Sequence, residues 1–244
     1  MKMEHRKRLL ALVLIALFCV SGCISGRTVR GSGNVIEEER TVGSFEEVGF
    51  GTVGSLIVEL GDQERLLIEA EENLMEYIEV DIRGDTLEIG MTPGVVIVPT
   101  EGVHFYLTVV NLEGVSLSGL GSIELPDLEV TRFEINISGA GDIDLEELAA
   151  TQLDVNISGL GNLTIEDGEV EEQEINISGG GDYNAGDLES ARTEIFLSGL
   201  GSATVRVEEY LSVDISGAGS VEYYGSPSVD QNVSGVGHVE NIGD

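Results

Sequence analysis

From residue 113 onward, polar and apolar positions alternate with the period of two that marks a β-strand with one buried face. The clearest stretches are FEINISGAGDIDL (133–145), LDVNISGLGNLTI (153–165) and QEINISGGGDYNA (173–185). In the first of these, Ile135 and Ile137 point inward, and so do Ile143 and Leu145 beyond the glycines. Each run is punctuated by Ser-Gly-x-Gly, with its serine at 118, 138, 158, 178, 198, 216 and 234, so the spacings are 20, 20, 20, 20, 18 and 18. A fixed period of this size signals stacked repeats. Coils of 20 residues leave no room for a helical crossover, so each coil pairs in parallel with the next at ~4.8 Å, giving a rod about 40–50 Å long.

Reading down the stack yields two core columns. One runs Val115, Ile135, Val155, Ile175, Ile195, Val213, Gln231, and the other Leu117, Ile137, Ile157, Ile177, Leu197, Ile215, Val233. β-Branched residues dominate both, as strands buried on one face favour. Gln231 breaks its column in the final coil, where a terminal repeat has no neighbour on one side. Two local expectations follow. At least one residue in each Gly-x-Gly corner takes a positive φ, and the seven serine hydroxyls bond the turn backbone and stack as a ladder.

Before this array, residues 34–112 read as all-β without the motif. SLIVEL (55–60) and LLIEA (66–70) flank a Gly-Asp-Gln-Glu turn, EENLMEY (71–77) is set for one helical turn, and IEVDI and TLEI bracket Arg83-Gly84-Asp85 as a hairpin. No composition break divides residues 34–244, which read as one solenoid domain.

The N-terminus reads as an export signal rather than fold. Lys2, Arg6, Lys7 and Arg8 precede an apolar run over 9–20, which is shorter than the roughly 20 residues a spanning helix needs. Val20-Ser21-Gly22-Cys23 then resembles a prokaryotic lipobox, making 1–22 a lipoprotein signal peptide, Cys23 the lipid attachment residue and 23–33 a lipidated tether. Only Cys19 and Cys23 exist, so cleavage leaves one cysteine and no intramolecular disulfide. Stable anchoring requires more than one acyl chain on it. The implied location is extracytoplasmic, anchored at the cell membrane.

Charge narrows the partners. The whole chain carries −33, and residues 23–244 hold eight Arg and no Lys against 44 carboxylates. Such a surface repels nucleic acid and anionic headgroups and collects divalent cations weakly.

Together the opening Gly31-Ser32-Gly33-Asn34-Val35, the Ser44-Phe45-Glu46-Glu47-Val48 segment and the iterated Ser-Gly-x-Gly coils resemble the head GIN domain of auto-transporter adhesins, a domain of unknown function. The resemblance runs from about Asn34 to the C-terminus. It implies a right-handed parallel β-helix in an exported, often lipid-anchored protein, and supplies no catalytic residues.

Other motifs resolve to structural readings. Gly49-Phe50-Gly51-Thr52-Val53-Gly54 fits G-x-G-x-x-G, but a strand-like segment follows where a dinucleotide site needs a helix. Arg83-Gly84-Asp85 matches an integrin-recognition tripeptide and equally supplies a hairpin turn. Sequons stand at Asn136, Asn156, Asn162, Asn176 and Asn232. Three of them share an outward column with Ser116, Phe196 and Asp214, which favours an asparagine ladder between coils over N-glycosylation. Gly179-Gly180-Gly181-Asp182 resembles a calcium-binding nonapeptide, but the period of 18–20 is wrong for one. Asp142 with Asp144 and Glu146 with Glu147 are candidate acid–base pairs, yet in so acidic a chain such neighbours are unavoidable, and no Trp is present to wall a sugar cleft. His104 and His238 suggest neither a metal cluster nor a Ser-His-Asp set.

The reading is therefore a non-catalytic surface lipoprotein with an adhesin-like binding or spacer role, no cofactor and no metal. Its contact strip is Asn136, Asn156, Asn176 and Phe196, facing an envelope polymer or a surface protein. A purely structural envelope protein and a carbohydrate-active β-helix enzyme are the alternatives.

Overall fold

A computed structural model describes residues 26–243; the lipobox, Cys23 and the export signal lie outside the described residues. Parallel coils stack into a β-solenoid of about six turns. The repeating part begins with β10 (Gly114–Leu117) and β11 (Ser122–Leu125). It continues through β12 (Leu128–Ile137), β13 (Ile143–Ile157), β14 (Leu163–Ile177), β15 (Tyr183–Leu197) and β16 (Ser202–Ile215). It ends in β17 (Ser220–Tyr224), β18 (Ser228–Val233) and β19 (His238–Gly243).

Register follows the period of the sequence. Ile135 pairs with Val155, Val155 with Ile175 and Ile175 with Ile195, so each core column is a stack of directly apposed side chains. From Val115 to Val213 and from Leu117 to Ile215 the columns are buried. Pairing between β13 and β14 lapses at Glu146 and Thr151, so the 15-residue strands bend twice. With the Gly-x-Gly corner, those bends give each coil three sides.

The corners correct one expectation. None of the Ser-Gly-x-Gly glycines has a positive φ. Glycine is required there by close approach: a Cβ on Gly161 would run into the Gly141 carbonyl oxygen, and one on Gly159 into that of Gly139. The corner backbones are stacked too tightly for a side chain at either of these two glycine positions, with Leu160 N donating to Gly139 O at 3.0 Å and Gly180 N to Gly159 O at 3.0 Å. The serine ladder does not form either. Only Ser234 Oγ reaches a turn carbonyl, Ile215 O at 3.5 Å, and the other six serines hold the corner through their backbone N–H.

The N-terminal third is built differently. It contains β1 (Arg27–Arg30), β2 (Val35–Arg40), β3 (Glu47–Phe50), β4 (Ser55–Leu60), β5 (Arg65–Glu71) and a single helical turn, Glu72–Met75. It continues with β6 (Ile78–Arg83), β7 (Thr86–Met91), β8 (Val95–Val98) and β9 (His104–Val109). Stacking order here departs from chain order. β3 lies between β7 and β10, and β4 between β9 and β11, all in parallel. Gly51-Thr52-Val53-Gly54 is thus a disguised corner under Ser118-Gly119-Leu120-Gly121, with Leu120 N donating to Thr52 O at 3.1 Å. That is the structural role of the G-x-G-x-x-G match.

Antiparallel strands close this end. β5 pairs with β9, β2 with β5, and β6 with β7 across the Arg83-Gly84-Asp85 turn. The outermost strand β2 carries Glu37, Glu38, Glu39 and Arg40, charges that blunt an edge against further pairing. Within the segment read as a tether, Arg27–Arg30 pairs in parallel with β8. Buried Glu71 secures the next segment. Its carboxylate accepts from Gly33 N at 2.6 Å, Thr100 N at 2.8 Å and Thr100 Oγ1 at 2.6 Å. The Thr100 hydroxyl, followed by these backbone amides, lowers its pKa to about 2.

Candidate functional site

One solenoid side presents three outward columns, set by the alternation within β12 to β16. They are headed by Arg132, Glu134 and Asn136, and each residue pairs in register with its counterpart in the next coil. The asparagine column forms one true ladder rung, Asn156 Nδ2 to Asn136 Oδ1 at 3.1 Å. Asn136 and Asn176 turn instead to Glu134 (2.8 Å) and Glu174 (3.1 Å) on their own strands. Carboxylates two residues away outcompete the next amide because an ionised acceptor makes the stronger bond. Asn232 donates to Asp214 at 3.0 Å.

Asn162 belongs to a different ladder, on the corner. It donates from its amide to Asp142 Oδ1 at 2.9 Å, accepts from Asp182 N at 3.1 Å, and Ser202 Oγ donates to Asp182 Oδ1 at 2.7 Å. All five sequon amides are therefore engaged with protein partners.

A shallow groove of about 230 Å³ lies on the three-column face, lined by Gln152, Glu172, Gln173, Glu174, Arg192, Thr193, Glu194 and Tyr210. Arg192 spans it, pairing with Glu172 at 3.4 Å and Glu209 at 3.2 Å. Tyr210 sits directly across from Arg192 and is 40% exposed, while Phe196, on the same face, is 41% exposed. The floor is a buried polar chain that interrupts the core. Tyr183 Oη donates to Gln173 Oε1 at 2.8 Å, Gln173 Nε2 to Thr193 Oγ1 at 3.1 Å, and Ser190 Oγ meets Thr193 Oγ1 at 2.7 Å. Complete burial pushes the Tyr183 phenol far up, so it stays protonated and acts as a donor.

Sequence reasoning found Phe196 and the asparagines on this face but missed Arg192 and Tyr210. The signal was the coil that shortens from 20 to 18 residues, which brings Tyr210 under Arg192. It also missed the Ser55 Oγ–His104 Nδ1 contact at 2.7 Å, made between strands far apart in sequence. That pair is half-buried, and among the described residues no carboxylate bonds the imidazole.

The acidic pairs lie elsewhere. Asp142, Asp144, Glu146 and Glu147 stand exposed on the opposite flank of the corner. Partial desolvation of its carboxyl among these neighbours, then the charges of Asp142, Glu124 and Glu166, raise the pKa of Asp144. Among the described residues no group of His, Cys, Asp or Glu is arranged to hold a metal ion.

A family model described as "Putative auto-transporter adhesin, head GIN domain" matches residues 44–227. The chain belongs to this family. The GIN solenoid is also similar to a solved Bacteroides fragilis "putative adhesin", at 25% identity over 88% of this chain and 100% of that one, with a TM-score of 0.83. A "putative adhesin" of Parabacteroides merdae shares the fold at 23% identity, 88% and 99% coverage and a TM-score of 0.69. A "putative lipid binding protein" of Parabacteroides distasonis does so at 21%, 88%, 100% and 0.74. No curated protein matches the sequence. Among the described residues no helix is long and apolar enough to cross a membrane.

Proposed function

We propose that this GIN domain is a non-catalytic adhesion module of the cell envelope, tethered through a lipidated Cys23, and that its three-column face grips a repetitive polar polymer. The observation that carries this reading is the coincidence of a periodic amide and carboxylate strip with two exposed aromatics on one face, Tyr210 lining the Arg192 groove and Phe196 in the asparagine column. Aromatic faces stack on sugar rings, and coils repeating at ~4.8 Å offer many weak contacts whose sum is avidity. Membership in an adhesin-type family supports work outside the cytoplasmic membrane.

The test is a binding screen of the mature protein against glycans and peptidoglycan-type polymers, with intact mass confirming acylation of Cys23. Phe196→Ala and Tyr210→Ala should each weaken retention by about fivefold and leave the melting temperature within a degree or two. Retention unchanged in both variants would reject the face, and binding to no polymer would leave the spacer role.

A further inference from the structure

The third residue of each Ser-Gly-x-Gly corner forms an exposed column at the outer edge of the solenoid. In stacking order it reads Leu120, Ala140, Leu160, Gly180, Leu200, Ala218, Val236, a strict alternation of large and small. The three leucines are 70%, 71% and 76% exposed. Single exposed leucines are ordinary on protein surfaces; a leucine at every second coil, with a gap between each pair, is not. The column is rigid, because each of its residues donates its N–H to the coil before, as Leu200 does to Gly179 O at 2.9 Å and Ala218 to Gly199 O at 3.0 Å. It is also sparsely charged within a chain of net charge −33. From Ser118 to His238 the seven five-residue corners contain two carboxylates, Asp142 and Asp182.

We infer that this ridge is a homodimer interface, in which two antiparallel copies interdigitate about a two-fold axis passing between the coils of Leu160 and Gly180. From Leu120 to Ala218 the alternation makes the ridge self-complementary. Under that axis Leu160 enters the partner's Gly180 gap, Leu200 enters the Ala140 gap and Leu120 the Ala218 gap. The flank carrying the acids matches as well, since Asp142 meets Ser202 and Asp182 meets Asn162, so no carboxylate is set directly against another. A bilayer or another smooth apolar surface would accept leucine at every coil and has no use for the gaps. A partner with the same two-coil repeat of ~9.6 Å has.

The interface is narrow against the roughly 800 Å² per partner of standard complexes, and the acidic remainder of the surface opposes association. The expected dimer is therefore weak, with a dissociation constant on the order of micromolar, and it tightens as salt screens the charge.

Sedimentation of the full chain over a wide concentration range tests this. Gly180→Leu fills the central gap at an exposed site where a Cβ meets only Leu160 Cδ2, at 3.2 Å. Because the contact occurs twice, it should weaken the dimer by at least about tenfold, although the surface becomes more apolar. Ala140→Leu, which fills the gap opposite Leu200, should do the same and serves if the first variant melts early. The double variant Leu160→Gly with Gly180→Leu exchanges knob and hole across the axis and should restore association. A wild-type chain that stays monomeric throughout would overturn the inference. So would gap-filled variants that dimerise as tightly as wild type, or a ridge that binds lipid vesicles more strongly when its gaps are filled.

Discussion

The two parts of this molecule bury their apolar faces by opposite routes. From β10 to β19 each coil lies on the one before it in the chain, identical positions stack, and the core is a set of β-branched columns. From β1 to β9 the strands stack out of chain order, half the pairings are antiparallel, and larger rings fill the core, with Phe50 and Phe105 meeting edge-on at 5.2 Å. An iterated coil needs its neighbours to be alike and tolerates no intruding side chain at its corner. A closing unit needs the reverse, namely unlike strands and charged outer edges that stop the stack. The far end lacks such a unit among the described residues, and there Val229, Val233 and Val236 are exposed.

The same substitution should expose this difference most sharply. Gly161→Ala sets a methyl against the Gly141 carbonyl, where neither stacked backbone can give. A loss of about 3 kcal/mol or more in denaturant unfolding is expected. Gly84→Ala in the closing unit meets nothing within 4 Å and suffers only its φ of +67°, a cost of about 1–2 kcal/mol. Equal losses would mean that the coils are not in tight backbone contact at their corners.

Acid should separate the two regions next. The folded pKa of Glu71 lies at about 2, well below the ordinary carboxylate value of 4.5, so the unfolded chain binds this proton first as pH falls. Its stabilising contribution is complete above about 4.5 and disappears as pH drops toward 2. Glu71→Gln should remove that dependence. Hydrogen-exchange protection at Gly33 and Thr100 N–H, taken relative to the intrinsic rate at each pH, should fall between pH 4.5 and 2 in the wild type and be low at every pH in the variant. Protection that does not respond to pH would show that the carboxylate is not what pins residues 31–33 to the loop at 100–101.

Legibility divides along the same line. Repetition writes contacts into the sequence at a fixed offset, so Ile135, Val155 and Ile175 could be stacked correctly from spacing alone. The Arg83-Gly84-Asp85 hairpin and the helical turn at 72–75 were equally legible, being local. Nothing periodic marks β3 and β4 as lying between strands that come later in the chain, so the corner at 51–54 resembled a nucleotide motif. Gly-x-Gly suggested positive φ because the usual reason for glycine is conformational, whereas here it is the adjacent coil. The candidate face was half legible: its asparagines repeat every 20 residues, but Tyr210 reaches Arg192 only through the shortened coil.

The smallest expected effect concerns that face. Asn156 donates to Asn136 Oδ1 at 3.1 Å, and Asn136 in turn donates to Glu134 at 2.8 Å. Asn156→Asp turns the first donor into an acceptor and adds a charge two residues from Asp154, which already pairs with Arg132 at 2.9 Å. Asn136 can satisfy the new carboxylate only by turning its amide away from Glu134, so one bond is exchanged for another at the surface. The loss should be about 0.5 kcal/mol, shrinking in high salt as the added repulsion is screened. A loss comparable to that of Gly161→Ala would make the amide rung part of what holds the coils together. In that case the face would be scaffold, and the groove around Arg192 would have to carry recognition alone.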